Sequence, residues 1–250
     1  MNKQFKVLYL GPRDPNLDTL FIKEGCDVTY EVGPINLKNS EPDLIVSYGY
    51  RHLIKKEIFS RFRTINIHIS YLPWNRGSDP NFWSFYDNTP KGVTIHEVDE
   101  GLDTGDIIYQ KKIVFSKEED DLKKTYDRLK QEATSLFISK WESIKRGNYT
   151  PVKQNESKAT THRHKEFESL FKNMKDKWST KVKKIENLRT AADLKIIDEI
   201  ESVRTKNNVN WMDLLRIAIK ENPQQTKKIL KNINSHDQKI SELFEILSRE

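Results

Sequence analysis

The strongest constraint on this chain is an alternation in its first seventy residues. Short apolar runs at 5–10, 26–31, 42–47 and 64–70 are separated by helix-like segments at 17–25 and 53–62. Runs of that length, spaced by helical pattern instead of tight turns, predict a mostly parallel sheet with helices on both faces, an α/β fold. The pattern continues with a helix over 79–86 that Pro80 can open, strands at 91–98 and 107–115, and a long helix over 118–146. That last helix carries Leu122, Tyr126, Leu129, Ala133, Leu136 and Phe137 as a core-facing stripe. Gly11 ends the first run without the further glycines of a dinucleotide fingerprint, which argues against NAD or FAD bound in the usual way. In open α/β sheets ligands bind off the carboxyl ends of the strands, where Tyr48 and the polar residues of 64–70 fall.

Composition narrows the classes further. With 36% hydrophobic and 32% charged residues, and with five Trp, nine Tyr and eleven Phe, the 250-residue chain has the means to build a packed core. No apolar run approaches the roughly 18 residues a membrane span needs, and the first residues lack a signal-type apolar stretch, so a cytoplasmic protein is expected. The single cysteine, Cys26, excludes an intrachain disulfide framework and a multi-cysteine zinc site. His162 and His164 have no further ligands at a familiar spacing, and no metal is expected. The net charge is +6. Residues 1–150 balance 22 Lys and Arg against 22 Asp and Glu, so the excess lies in 151–250, with 21 against 15. A solvated Lys-rich helical surface accounts for that excess better than nucleic-acid contact does.

The tail has its own pattern. Four amphipathic segments follow residue 190, marked by Ile196, Ile197, Ile200 and Val203, then Trp211, Leu214, Leu215 and Ile219, then Ile229, Leu230 and Ile233, and last Ile240, Leu243, Phe244 and Leu247. Asn207-Asn208, Asn222-Pro223 and residues 234–237 divide them, with Asp237 placed to start the last helix. Two domains are expected: a catalytic one over 1–185 and a small all-helical module over 190–250.

The chemistry concentrates in 64–77. Asn66, His68 and Ser70 alternate with Ile65, Ile67 and Ile69, so the polar side chains share one face. Pro73 stops the strand, and Arg76 and Gly77 add a cation and a flexible backbone point. An acidic, glycine-bearing loop at 98–106 contributes Asp103. A neutral imidazole can take a proton, an amide can donate to a developing oxyanion, and a carboxylate can orient the imidazole and stabilise its charged form. These are parts for attack on a carbonyl by an outside nucleophile. No Ser or Cys sits in a nucleophile elbow, and acyl transfer and hydrolysis both remain open on this ground.

The motif Asn66-x-His68-x-Ser70-x-Leu72-Pro73, followed by Arg76-Gly77 and by Asp103-x-Gly105, resembles the formyltransferases that use N10-formyltetrahydrofolate, over residues 6–112. The stretches 73–85 and 89–96 look like the sugar N-formyltransferases within that family. The resemblance implies a Rossmann-like formyltransferase fold and a catalytic trio of Asn66, His68 and Asp103. It implies a folate pocket made by Tyr48, Gly49, Tyr50, Arg51, Leu53, Val98, Gly101 and Leu102, largely through backbone groups. Arg76, Gly77, Asn81 and Trp83 become candidate substrate contacts, Trp83 being as readily a core residue. The implied activity is formyl transfer to the amine of a nucleotide-linked amino sugar, a dTDP-amino-dideoxyhexose such as dTDP-4-amino-4,6-dideoxyglucose, for O-antigen or other surface polysaccharide, by a homodimer. The alternatives are a methionyl-tRNA formyltransferase, disfavoured because the tail lacks the alternating strands of an RNA-binding barrel, and a noncatalytic nucleotide-sugar-binding scaffold.

Overall fold

The computed structural model describes residues 4–37 and 41–247, and the chain divides into two compact units, 1–189 and 190–250. The first is built on a six-stranded sheet. Its strands are β1 (Lys6–Leu10), β2 (Asp27–Glu31), β3 (Leu44–Tyr48), β4 (Thr64–His68), β6 (Gly92–Glu97) and β7 (Ile107–Lys112), in the order β2-β1-β3-β4-β6-β7. The first four run parallel, and β6 and β7 add antiparallel. A two-residue strand, β5 (Arg76–Gly77), pairs separately with β8 (Thr161–His162).

Alternation along the strands sends side chains to two faces. Val7, Tyr9, Leu44, Val46, Ile65 and Ile67 pack against Leu17 and Phe21 of α1 (Pro15–Lys23) and Leu129, Phe137 and Trp141 of α4 (Leu122–Arg146). Side chains so fully buried contribute about 1.5–3 kcal/mol each. Asp14 caps α1 by accepting from the Asn16 and Leu17 N–H groups, and also accepts from Thr134 on α4, which ties the two helices together. The opposite face is covered more thinly. Leu8, Leu10 and Ile45 meet Ile54 and Phe62 around α2 (Lys56–Phe59). The helix expected over 53–62 is thus only four residues long, its flanks remaining loop. A third cluster joins Phe82, Trp83 and Phe85 of α3 (Pro80–Tyr86) to Leu122, to Phe167 of α5 (His164–Phe171), to Met174 and to Ile185 at the start of α6 (Val182–Glu221).

The second unit comprises the rest of α6 and α7 (Pro223–Leu247). Two helices replace the four expected segments. Backbone hydrogen bonding runs on through Asn207-Asn208 and through 234–237, so Asp237 lies inside a helix and caps nothing. Only the break before Pro223 is kept, because Pro lacks the N–H an interior turn needs. There the Asn222 side chain accepts from the Gln225 N–H at 3.2 Å and the Thr226 hydroxyl donates to the Asn222 carbonyl at 2.7 Å. Ile197, Ile200, Val203, Trp211, Leu214, Ile229 and Ile233 are exposed. The side chains of Ile196, Ile240, Leu243, Phe244 and Leu247 lie outside the described residues. No described helix is long and apolar enough to cross a membrane.

Candidate active site

Cross-strand register assembles the polar cluster. Asn66 of β4 stands directly opposite His96 of β6, and His68 opposite Thr94, and all four point away from the α1/α4 face. The Asn66 Nδ2 lies 3.1 Å from His96 Nε2 and 3.1 Å from Asp103 Oδ1. Asp103 arrives on the loop between β6 and β7 with a left-handed backbone, φ 54°, which Asp tolerates better than most residues. Its Oδ2 accepts from the Gly77 N–H at 2.8 Å and lies 3.6 Å from His68 Nδ1. Both imidazoles are buried, their rings nearly perpendicular at 6.2 Å.

Hydrogen-bond partners assign the tautomers. His68 Nε2 faces the Asn75 carbonyl at 3.1 Å and must donate to it, which leaves Nδ1 as the nitrogen toward Asp103. The Asn75 carbonyl therefore orients this ring, while Asp103 is placed to pair with its protonated form. His96 Nδ1 donates to the Glu97 carbonyl at 2.7 Å, so its Nε2 accepts from Asn66. Both N–H bonds of the Asn66 amide are engaged inside the cluster. Donation to a ligand oxygen requires one of these 3.1 Å contacts to be exchanged. Burial alone would raise the Asp103 carboxyl, but the neighbouring His68 and His96 rings, which attract it in their protonated forms, and the Gly77 N–H together hold it well below the usual carboxylate range.

The cluster forms part of the wall of a cavity of about 1030 Å3. All eight expected folate-pocket residues line it: Tyr48, Gly49, Tyr50, Arg51, Leu53, Val98, Gly101 and Leu102. Tyr48 does so beside its backbone turn while its ring is buried in the core and its hydroxyl donates to the Lys130 carbonyl at 3.2 Å. Leu53 and Leu102 are exposed, 81% and 49%, apolar surface left open at the cavity. Gly77 and Asn81 also line it. The Asn81 amide donates to the Leu122 carbonyl and the Thr125 hydroxyl, and its buried Oδ1 has no hydrogen-bond partner.

Two expected substrate contacts are placed elsewhere. Arg76 is buried, its guanidinium engaged by Gln154 and Glu156, and it does not line the cavity. Trp83 packs in the α3/α5 cluster and stacks on the His162 ring at 4.0 Å and 6°. Its core position follows from the outer face of α3, which α5 covers. Ser70 lies beyond the end of β4 and donates to the Trp74 carbonyl, so it serves the turn and not the polar face. His96 in the cluster, and Asn75 and Gln154 that support it, are not marked by local sequence pattern. Only the antiparallel register of β4 with β6 exposes His96. Among the described residues no group of three or more His, Cys, Asp and Glu is arranged to hold a metal.

The fold and site define an α/β protein with a desolvated amide, imidazole and carboxylate cluster facing a large cavity at the carboxyl end of a parallel sheet. Residues 34–140 match the family model described as formyl transferase. The solved structure of the formyltransferase PseJ from Anoxybacillus kamchatkensis, in complex with UDP-4,6-dideoxy-4-formamido-L-AltNAc and tetrahydrofolate, is 41% identical. It covers 72% of this chain and 97% of that one, with a TM-score of 0.68. The dTDP-4-amino-4,6-dideoxyglucose formyltransferase of Mycobacterium tuberculosis is 31% identical over 145 residues, 58% of this chain and 60% of that protein. The methionyl-tRNA formyltransferase of Lachnospira eligens is 36% identical over 140 residues, 52% of this chain and 43% of its own length. The chain thus spans about half the length of these curated relatives, and it belongs to the formyltransferase family.

Proposed function

We propose that this protein transfers the formyl group of N10-formyltetrahydrofolate to the primary amine of a 4-amino-4,6-dideoxyhexose carried on a pyrimidine nucleoside diphosphate. The observation that carries the reading is the Asn66, His68, His96 and Asp103 cluster on the wall of a cavity large enough for two ligands side by side. The PseJ likeness and the dTDP-sugar relative supply the acceptor class, since both names specify a nitrogen at position 4 of a 4,6-dideoxy sugar. Uridine and thymidine carriers are both compatible with those names, and dTDP-4-amino-4,6-dideoxyglucose is one arm of the test.

The residues around Tyr48–Leu53 and Val98–Leu102 fit the donor, offering exposed backbone for a heterocycle's amide edge and open Leu53 and Leu102 for its faces. When bound, N10-formyltetrahydrofolate supplies an activated formyl carbon. Asn66, releasing one internal bond, donates to the oxygen on which charge develops. The His68 Nδ1 is the free nitrogen of its ring and accepts the proton the amine loses as its nitrogen bonds to the formyl carbon, with the Asp103 carboxylate beside it to stabilise the imidazolium. That proton is then available to the donor nitrogen whose bond to the formyl carbon breaks, so that tetrahydrofolate leaves neutral at that nitrogen. Asp103 stays ionised throughout, as its depressed carboxyl requires. Cytoplasmic formylation of a nucleotide sugar destined for O-antigen or another surface polysaccharide is the role we assign to this chemistry, with the enzyme acting as a homodimer.

The test is consumption of N10-formyltetrahydrofolate by purified protein offered UDP- and dTDP-linked 4-amino and 3-amino dideoxy sugars, with methionyl-tRNA alongside. Turnover with a 4-amino nucleotide sugar is expected. Turnover with methionyl-tRNA alone would overturn the reading in favour of the second relative's activity.

A further inference from the structure

The sugar-phosphate chemistry of the cavity belongs to the function just proposed, whereas one buried network beneath the loop of Asp103 does not. Asp103 occupies left-handed backbone, a conformation that is costly for a non-glycine residue and persists only where the surroundings over-determine it. One backbone N–H and one distant side-chain amide do so here. The Gly77 N–H holds the carboxylate at 2.8 Å. The Gln154 amide donates from Nε2 to the carbonyls of Asp103 at 2.8 Å and Gly105 at 2.7 Å, gripping the loop on both sides of Thr104. Gly105 has no slack to give, because a Cβ there would lie 1.8 Å from the Glu97 carbonyl oxygen.

The amide of Gln154 could face either way, and Arg76 decides which. Arg76 Nε and Nη2 both donate to Gln154 Oε1, at 3.1 and 2.9 Å, so the Nε2 end must turn toward the loop. The rest of the guanidinium fork is held by Glu156, at 2.9 and 2.6 Å. Arg76 and Gln154 are 4% and 9% exposed. A hydrogen-bonded chain of this kind, buried at Arg76 and Gln154 and reaching solvent at Glu156, fixes geometry more than it adds stability.

We propose that Gln154, oriented by Arg76 and Glu156, is a positioning residue that sets the Asp103 carboxylate against His68 and His96. The clamp rests on the reading of Asp103 as part of the reacting centre. It touches neither the cavity nor the reacting atoms, and it acts through the peptide carbonyls on either side of Thr104.

Gln154→Glu and Gln154→Leu separate this role from packing. Gln154→Glu keeps the pairing with Arg76 but turns an oxygen toward two carbonyl oxygens, and Gln154→Leu removes every polar contact. Two readouts are taken on each: formyl transfer, and the titration of the Asp103 side-chain 13C carboxyl resonance, which needs neither donor nor acceptor. With the clamp lost, the carboxyl is expected to titrate measurably higher, because its neighbours His68, His96 and the Gly77 N–H no longer meet it in register. The value of kcat is expected to fall about 10- to 100-fold, as small misplacements of reacting groups do, with KM for the formyl donor within about threefold. Glu156→Gln, at the solvent end of the chain, is expected to move the resonance in the same direction by less, and it stands in where the buried substitutions fail to fold. A folded variant whose Asp103 resonance titrates as in the wild type overturns the proposal, whatever its loss of activity or melting temperature. If the wild-type protein formylates none of the sugars, the carboxyl titration still decides the clamp while the substrate reading fails on its own.

Discussion

Asp103→Asn isolates the charge at the centre of the cluster with almost no change of shape. Asn accepts left-handed backbone as readily as Asp, so the loop keeps its φ of 54°. The carboxylate accepts from Asn66 on one oxygen and from Gly77 on the other. An amide can keep only one of these and must aim its NH2 at the other donor. The larger loss is electrostatic. A carboxylate 3.6 Å from the His68 ring nitrogen stabilises the imidazolium by about 4–5 kcal/mol at an effective dielectric of about 20. At about 1.4 kcal/mol per decade, that corresponds to roughly 10^3-fold in rate if His68 carries the proton in the transition state. The assay is steady-state formyl transfer with the best sugar acceptor, with a thermal melt to show that the variant folds. The expected result is kcat lowered about 10^3-fold and KM for the acceptor changed by less than about fivefold. A folded variant within about tenfold of wild-type kcat would refute the pairing of Asp103 with a charged His68.

Asn66→Ala removes the proposed oxyanion donor and is expected to lower kcat about 100- to 1000-fold in a folded protein, with activity above a tenth of wild type refuting the assignment. Trp83→Ala is expected to cost about 3–5 kcal/mol in a denaturant melt, whereas Trp83→Phe should leave KM for the sugar within about twofold; a large KM effect in that variant would return Trp83 to the substrate. His164, which lines the cavity, has its imidazole raised by the hydrogen bond it donates to the Asp79 carboxylate and then by the charges of Asp79 and Glu168. The stability from that pair is therefore fully present below about pH 6.5 and is lost as the pH rises through the folded value. His164→Asn should melt below the wild type at pH 5.5 and level with it at pH 9, and an equal gap at both would show the pair to be silent.

Asn66, His68 and Asp103 were legible because their chemistry is written in residue type and in the period-2 pattern that puts the first two on one face. The turn at 48–53 follows the end of a parallel strand, where ligand sites fall, whereas the loop at 98–103 joins two antiparallel strands and was legible only through the family resemblance. His96 was not, since its position depends on which residue of β6 falls opposite Asn66, and register is a tertiary fact. Arg76 misled for a related reason: a cation two residues from a polar strand reads as ligand-binding, and only the return of 154–156 shows its guanidinium already occupied. The helical tail was divided too finely because Asn-rich stretches are weak helix breakers, and among them only Pro223 removes a backbone donor.

Three non-glycine residues around the site, Asn75, Asp79 and Asp103, hold left-handed backbone, and each is tied down from the same later segment. Thr160 accepts from the Asn75 N–H at 2.8 Å, His164 meets Asp79 at 2.7 Å, and Gln154 grips the flanks of Thr104. The same segment forms β8, whose pairing with β5 brings the His162 carbonyl so close to Gly77 that a Cβ there would lie 2.3 Å from its oxygen. Strain of this kind costs about 1–3 kcal/mol per residue and needs partners that do not yield. The family match ends at residue 140, yet the groups that hold His68 through Asn75 and the loop of Asp103 come from residues 154–164. The polar cluster and its supports are thus separate in sequence: the sheet supplies Asn66, His68 and His96, and a later polar segment holds the turn of Asn75 and the loop that carries Asp103.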